Sequence, residues 1–161
     1  MFGMVFNPKA DKFRYELNKV FEKCSTAKKT NKKVCQKCGF CCWTRPCNLV
    51  KDDVKKIADF LHISELELFS KYLVVDQIKG KLVVLPRRKS QEDIAGKYVP
   101  DDRTYDIDTP CVFLNEKNLC QIHAVKPFGG RNHECWKDTI IPDYSWKKED
   151  VEVLGWNGEY D

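Results

Sequence analysis

The sequence lacks a long hydrophobic run. No apolar stretch approaches the ~18–20 residues that a membrane-spanning helix needs, and the longest are short pieces such as Leu82–Leu85. The amino-terminal residues also lack the basic segment, the sustained apolar segment and the small-residue cleavage site of a secretory signal. These absences argue against a membrane span and predict a cytoplasmic protein, in which thiols stay reduced.

Motifs of nucleotide-dependent enzymes are missing as well. There is no Gly-x-Gly-x-x-Gly loop, and Gly129-Gly130 alone is a weak signal. The Cys-x3-Cys-x2-Cys spacing associated with radical S-adenosylmethionine enzymes is absent too. Any catalysis would therefore have to use a bound metal, and whether the chain is an enzyme stays open. The polar groups nearest the cysteines in sequence, to which we assign no roles, are Asp106, Asp108, His123, Arg131 and His133.

Cysteine is the residue in excess. The chain has nine cysteines in 161 residues, while its other composition, 42% hydrophobic and 32% charged, is that of an ordinary globular domain. This length suits one domain and is sufficient to form a core without disulfides. Because the count is odd and the expected compartment is reducing, the cysteines favour metal ligation over a disulfide framework.

The strongest motif is an upstream group of cysteines, Cys35-x2-Cys38-x2-Cys41-Cys42. A Cys-x-x-Cys pair turns tightly enough to point both sulfurs at one metal, and a third cysteine at the same spacing resembles the way ferredoxins hold a cubane cluster. Gly39 fits a backbone that must turn close to the sulfurs. Cys47, which follows Pro46, is left open as a further ligand.

A second group, Cys111-x8-Cys120-x14-Cys135, lies about seventy residues downstream. Two centres with four thiolates each need eight ligands. Nine cysteines leave eight when Cys24 is set aside, because Cys24 is predicted to lie in the core. One cluster with additional thiols fits the count nearly as well. His62 is expected near a helix end. His123 and His133 flank the downstream cysteines and are more often structural than metal ligands, because the thiolates already suffice.

The remaining pattern predicts an α+β fold: a small single domain with helices and short β-hairpins closed around a cysteine-ligated metal centre. Periodicity predicts an amphipathic helix over 9–24 with Cys24 on its apolar face, a helix from about Lys51, and a second helix after the capping box of Ser64 and Glu67. One hairpin is predicted around Lys79-Gly80.

The second half of the chain has weaker signals. Residues 111–114 and 119–122 are predicted to be the strands of a second hairpin around Asn115–Asn118, which would place Cys111 and Cys120 at one site. Residues 87–108 are predicted to form a long surface excursion, and the tail after His133 to be irregular. The predicted organisation is residues 1–33 as helix and basic linker, 34–136 as metal-binding domain, and 137–161 as an acidic extension packed on it.

Charge is distributed unevenly along the chain. Residues 1–50 carry a net charge of +8, residues 51–133 of +1 and residues 134–161 of −5. A basic head can contact nucleic acid or an acidic protein, but a solvated face balanced by the acidic tail is the favoured interpretation. We expect a redox or substrate protein as partner, with nucleic acid as the alternative; the oligomeric state stays open.

Taken together, the motifs resemble the YkgJ-type cysteine-cluster family, also described as a zinc- or iron-chelating domain with a Cys-x-x-Cys-x-x-Cys-Cys signature. The resemblance covers residues 34–135 and depends on Cys35-x2-Cys38-Gly39-x-Cys41-Cys42, the segment Val50–Leu61, and Cys111-Val-Phe-Leu-x5-Cys120-Gln-Ile-His-x-Val-Lys-Pro127. It implies a small metal-binding domain with about eight ligand cysteines. A flagellin lysine methylase with the same signature implies that such a domain can serve a protein-modification system.

The chain departs from this family at its usual ending, Cys-x-Ile-Tyr-x-x-Arg-Pro-x-x-Cys-Arg. His123 replaces the tyrosine, Lys126 the arginine, and Gly130 the last cysteine before Arg131. Either Cys135 substitutes as ligand after a local shift, or the centre has an open coordination position.

Three functional hypotheses follow. The first is an iron–sulfur protein for electron transfer or cluster-based redox chemistry, with one or two [4Fe–4S] clusters held by Cys35, Cys38, Cys41, Cys42, Cys111, Cys120 and Cys135. The second is a zinc-stabilised binding module that contacts nucleic acid or a partner protein. The third is a component of a methylation-like modification system.

Overall fold

The computed structural model of the protein describes residues 40–44, 46–103, 109–131 and 144–160. Eight further positions before residue 40 are described: Lys12, Tyr15, Glu16, Asn18, Lys19, Glu22, Lys37 and Gly39. The six of these that lie between 12 and 22 are helical, in agreement with the predicted amphipathic helix. Its predicted apolar face, Cys24 included, lies outside the described residues.

The described residues form helices around one two-stranded antiparallel sheet, so the α+β class is confirmed. The α-helices are α1 (Phe40–Thr44), α2 (Lys51–Leu61), α3 (Glu65–Tyr72), α4 (Phe128–Arg131) and α5 (Lys148–Glu152); the strands are β1 (Leu73–Ile78) and β2 (Lys81–Pro86); 3₁₀ turns span Lys89–Ile94, Asp101–Arg103 and His123–Val125. Among these helices none is both long and apolar enough to span a bilayer.

Helices α2 and α3 begin where local chemistry predicts. Ser64 Oγ accepts a hydrogen bond from the Glu67 amide at 3.0 Å, which satisfies one of the free N–H groups at the start of α3. Val54, Ile57 and Ala58 of α2 are buried in the main core. His62 ends α2 in the left-handed conformation, with φ of 59°. The prediction that His62 lies at a helix end is thus confirmed.

The β1–β2 hairpin has the predicted turn. Lys79 and Gly80 have φ of 52° and 75°, the positive values that a two-residue turn of the right twist requires at both positions. Strand residues pair from Leu73 with Pro86 to Ile78 with Lys81. Leu73–Val75 are buried in succession because α3 lies against one side and the segment around Ile94 and Val99 covers the other.

Two predictions for the rest of the chain were wrong in part. The segment after β2 is not an exposed excursion, because Arg87, Arg88 and Gln91 are buried and bond backbone groups. The tail is not wholly irregular, because it contains α5, and Trp146 forms a bridge with Leu82. Composition did not reveal either feature, since guanidinium and indole N–H groups bond to backbone carbonyls that only the folded chain brings near.

Candidate metal centre

Five cysteine thiols from both cysteine-rich regions gather beside the main core. Cys41 and Cys42 lie on α1, Cys47 follows Pro46, and Cys111 and Cys120 come from the downstream segment. Cys42 and Cys111 are buried, and the other three are half-buried. Thiols from regions about seventy residues apart in sequence are thereby placed at one site.

Cys42 is at the centre of this thiol group. Its thiol hydrogen-bonds with Cys111, Cys120 and Cys41, and these contacts together with burial raise the pKa of Cys42 well above its ordinary value. Both effects favour the protonated form, because an anion here would be desolvated and would face other sulfurs.

Cys120 differs in its electrostatics. Its pKa is lowered because it accepts a hydrogen bond from Cys42, because the Ile122 amide hydrogen-bonds to it, and because Lys126 contributes positive charge; burial opposes these effects. These contacts favour the thiolate form of Cys120, and the thiolate is the form of cysteine that binds metal.

Cys47, left open by the sequence, belongs to the same group. Its thiol hydrogen-bonds with Cys41. It also interacts electrostatically with Cys41, Cys111 and Cys120. This hydrogen bond and burial raise the pKa of Cys47. No spacing rule pointed to it; half-buried Cys47 directly precedes the buried residues Asn48 and Leu49, which lead into α2.

The downstream cysteines are not held by the predicted second hairpin. The turn is present, with the Asn115 amide donating to the Leu119 carbonyl at 2.9 Å, but pairing is limited to a single bridge between Leu114 and Cys120. The backbone of Cys111 bonds elsewhere: its amide donates to the Cys42 carbonyl at 2.7 Å, and it forms a bridge with Arg88. The strand prediction was wrong, but the Cys111 and Cys120 thiols both hydrogen-bond with the Cys42 thiol.

Gly39 explains how the upstream motif fits against this turn. Its φ is 79°, and a β-carbon there would lie 2.7 Å from Nδ2 and 2.8 Å from Oδ1 of Asn118. Trp43 then donates its indole N–H to Asn118 Oδ1 at 2.9 Å. The glycine is thus required both for its backbone conformation and for close approach.

Buried Asp53 attaches the segment after Cys120 to α2. It is 0% exposed and accepts hydrogen bonds from the Val50 amide at 2.9 Å, the Phe128 amide at 2.7 Å and the Arg131 guanidinium. Sequence analysis did not identify Asp53 as a site residue. Its placement four residues before Ile57, on the buried face of α2, is the signal that could have identified it.

Several predicted site residues lie outside the part of the chain that the structure describes: Cys35, Cys38, Cys135, His133, Asp106 and Asp108. Within the described part alone, no group of three or more Cys, His, Asp or Glu has the spacing that holds a metal ion. A complete ligand set would therefore involve some adjustment of the described thiols or ligands from the other cysteines.

The described residues nevertheless fit a soft metal centre. Grouped thiols are the donors that zinc, iron and iron–sulfur clusters prefer. In addition, Nε2 of His123 is buried without a hydrogen-bond partner in the described part of the chain, and burial lowers the pKa of this histidine. The Nε2 atom of His123 is therefore available as a ligand or as a donor to one.

Comparison with known proteins agrees with this chemistry. The family model described as "CxxCxxCC: Putative zinc- or iron-chelating domain" matches residues 34–152, which is most of the chain. No curated protein and no solved structure matches.

Proposed function

We propose a function from the premise that this chain belongs to the CxxCxxCC family of metal-chelating domains: it is an iron–sulfur protein for electron transfer or cluster-based redox chemistry. Membership covers zinc or iron chelation, and the choice of an iron–sulfur centre is our inference. The proposed ligands are Cys41, Cys42, Cys111 and Cys120, together with Cys35, Cys38 and Cys135 from the sequence.

The observation that carries this proposal is the gathering of thiols from both regions around Cys42. The Cys35-x2-Cys38-x2-Cys41 spacing, shared with cluster-binding ferredoxins, favours iron–sulfur over zinc. A cluster bound here would exchange single electrons with a redox or substrate protein.

The surrounding chain would act on such a centre in two ways. The Ile122 amide and the positive charge of Lys126, which already stabilise the Cys120 thiolate, would stabilise negative charge on the ligand sulfurs. Half-buried Trp43, which follows Cys42 in α1 and bonds Asn118, would limit water near a centre bound by the adjacent thiols. Reduced thiols in this number suit a reducing compartment such as the cytoplasm.

Elemental analysis of anaerobically prepared protein tests the proposal. We expect iron and acid-labile sulfide in near-equal amounts, a brown colour, and a broad visible absorption that dithionite bleaches. Colourless protein containing zinc and no sulfide would refute the iron–sulfur assignment and leave metal chelation intact.

The alternative is a zinc-stabilised binding module, favoured by the way the thiol group connects α1 to the downstream turn. Zinc bound by these cysteines would stabilise the fold directly, and the basic head would contact nucleic acid or an acidic protein. The test is the dependence of binding to duplex or single-stranded nucleic acid on salt, where a slope near zero counts against nucleic acid.

A further inference from the structure

We propose that Cys47 is a ligand of the metal centre and that Gly129 and Gly130 form the surface that admits it. This inference rests on the proposed function, because it requires that the thiol group binds metal. Cys47 lies outside the Cys-x-x-Cys-x-x-Cys-Cys signature, so family membership does not assign it.

The first support is the position of Gly130. A β-carbon on Gly130 would lie 3.3 Å from Cys47 Sγ, 3.8 Å from Cys47 Cβ and 3.7 Å from Lys126 Cβ. The missing side chain is therefore directly opposite the Cys47 sulfur. Any side chain at position 130 would have to share the space that this sulfur occupies.

The second support is the position of Gly129, which fixes the backbone beside Cys47. Its amide donates to the Asn48 carbonyl at 3.0 Å. A β-carbon there would lie 2.6 Å from Asn48 Oδ1, 3.0 Å from the Asn48 nitrogen and 3.2 Å from Cys47 Cα. Because two of these atoms are backbone, the two segments can approach this closely only with glycine at 129.

The third support is the direction in which the Cys47 thiol points. It hydrogen-bonds with Cys41, itself beside Cys42, so its sulfur faces the thiol group and not only the glycines. A cysteine that only filled space would need no sulfur neighbours. When the metal binds, the Cys47 thiol gives its proton to solvent as the sulfur–metal bond forms.

The side chain of Asn48, the residue after Cys47, has a donor that the described residues leave unsatisfied. Its side chain is 6% exposed, and Nδ2 has no hydrogen-bond partner in the described part of the chain. Buried amide donors are nearly always satisfied in native structures. A metal-bound thiolate or sulfide next to Cys47 supplies an acceptor for a donor of this kind.

The test compares metal retention by the full-length chain and three variants after anaerobic reconstitution, once with Fe²⁺ and sulfide and once with Zn²⁺, against a competing chelator. The variants are Cys47→Ala, the double variant Cys47→Ala with Gly130→Cys, and Cys24→Ala as the control. A sulfur at position 130 would start from a β-carbon 3.3 Å from the native Cys47 sulfur, so the double variant returns a thiol to the same corner.

We expect Cys47→Ala to release metal at a chelator concentration about tenfold or more below that of the unaltered chain, since even indirect contacts to a metal contribute on this scale. The double variant should regain most of this loss, and Cys24→Ala should match the unaltered chain. Circular dichroism of each metal-loaded variant separates loss of a ligand from failure to fold.

Two results would overturn the assignment. One is equal retention by Cys47→Ala and Cys24→Ala; the other is a double variant as defective as Cys47→Ala, which would mean that Cys47 contributes packing and not a ligand. In both cases the unaltered chain still binds metal. Failure of the unaltered chain to bind either metal would instead refute the proposed function itself.

Discussion

The Asp53 carboxylate is predicted to be the main attachment of the segment that carries Gly129 and Gly130. One oxygen accepts the Val50 amide at 2.9 Å and the Phe128 amide at 2.7 Å, while the other accepts the Arg131 guanidinium. Replacing Asp53 by Asn keeps the volume but exchanges one acceptor oxygen for an NH2 group. Whichever way the amide turns, a donor then faces either two backbone N–H groups or a guanidinium.

The size of the effect follows from burial. Breaking a fully buried ion pair costs about 3–5 kcal/mol, and a hydrogen bond to a charged group is worth about 1.5–3 kcal/mol. Asp53 is 0% exposed, but the Arg131 side chain is 42% exposed, so water recovers part of the loss on the arginine side. We therefore expect Asp53→Asn to lower the free energy of unfolding by about 3 kcal/mol, which corresponds to about 6–12 °C in Tm for a chain of this size.

Urea and thermal unfolding of the metal-loaded chain measure this directly. Asp52→Asn is the matched control, since Asp52 lies in the same turn of α2 but is exposed, and its loss should cost under about 1 kcal/mol through the helix dipole. If Asp53→Asn unfolds within about 1 kcal/mol of the unaltered chain, the attachment we describe does not stabilise the protein.

Three further predictions concern the rest of the domain. Gly39→Ala should destabilise the chain more than Gly80→Ala in urea unfolding. Both glycines have positive φ, a conformation that costs another residue roughly 1–2 kcal/mol, but of these two positions only 39 would bring a β-carbon close to another residue, 2.7 Å from Asn118. Equal losses of stability in the two variants would refute the close-approach argument. Burial raises the pKa of Asp76 above its ordinary 3.8, so this carboxylate costs stability as pH rises through the folded pKa. Asp76→Asn should therefore raise the free energy of unfolding at pH 7, with the gain vanishing below pH 3.8; a gain that persists in acid would exclude this cause. Removing metal with a chelator should lower Tm, since saturation at a thousand times Kd adds about 4 kcal/mol; an unchanged Tm would mean that the centre does not stabilise the fold.

Local chemistry accounts for the parts that could be predicted from the sequence. The capping pair Ser64 and Glu67 and the turn at Lys79-Gly80 each act within a few residues, and both occur as expected. The prediction of strands around Cys111 was wrong because the backbone there bonds a residue far away in the sequence. The Cys111 amide could have completed a local ladder, but it donates to Cys42, a partner 69 positions away that no local pattern reveals.

The candidate site also has features that the local sequence predicts and features that depend on distant contacts. Cys41 and Cys42 belong to the Cys-x-x-Cys-x-x-Cys-Cys motif, which predicts metal binding. Cys47 lies outside this motif, and only its contacts with the other thiols and with Gly130 identify it. Buried polar groups such as Asp53 were also underestimated. A charged residue is normally expected at the surface. Asp53 can be buried because hydrogen-bond donors from distant segments of the chain contact it, and the local sequence does not show these donors.

The joining of Cys42 to Cys111 has a consequence for the unfolded chain. A metal bound by both sulfurs would close a loop of about 70 residues, containing α2, α3 and the β1–β2 hairpin, and chain-entropy models assign a covalent cross-link of that length about 4 kcal/mol. Any metal that stays bound to both sulfurs during denaturation would restrict the unfolded ensemble in the same way. The denaturation midpoint of the metal-loaded protein would then depend on whether a chelator removes the metal from the unfolded chain. Without chelator, refolding would start from a chain that the metal already closes into a loop.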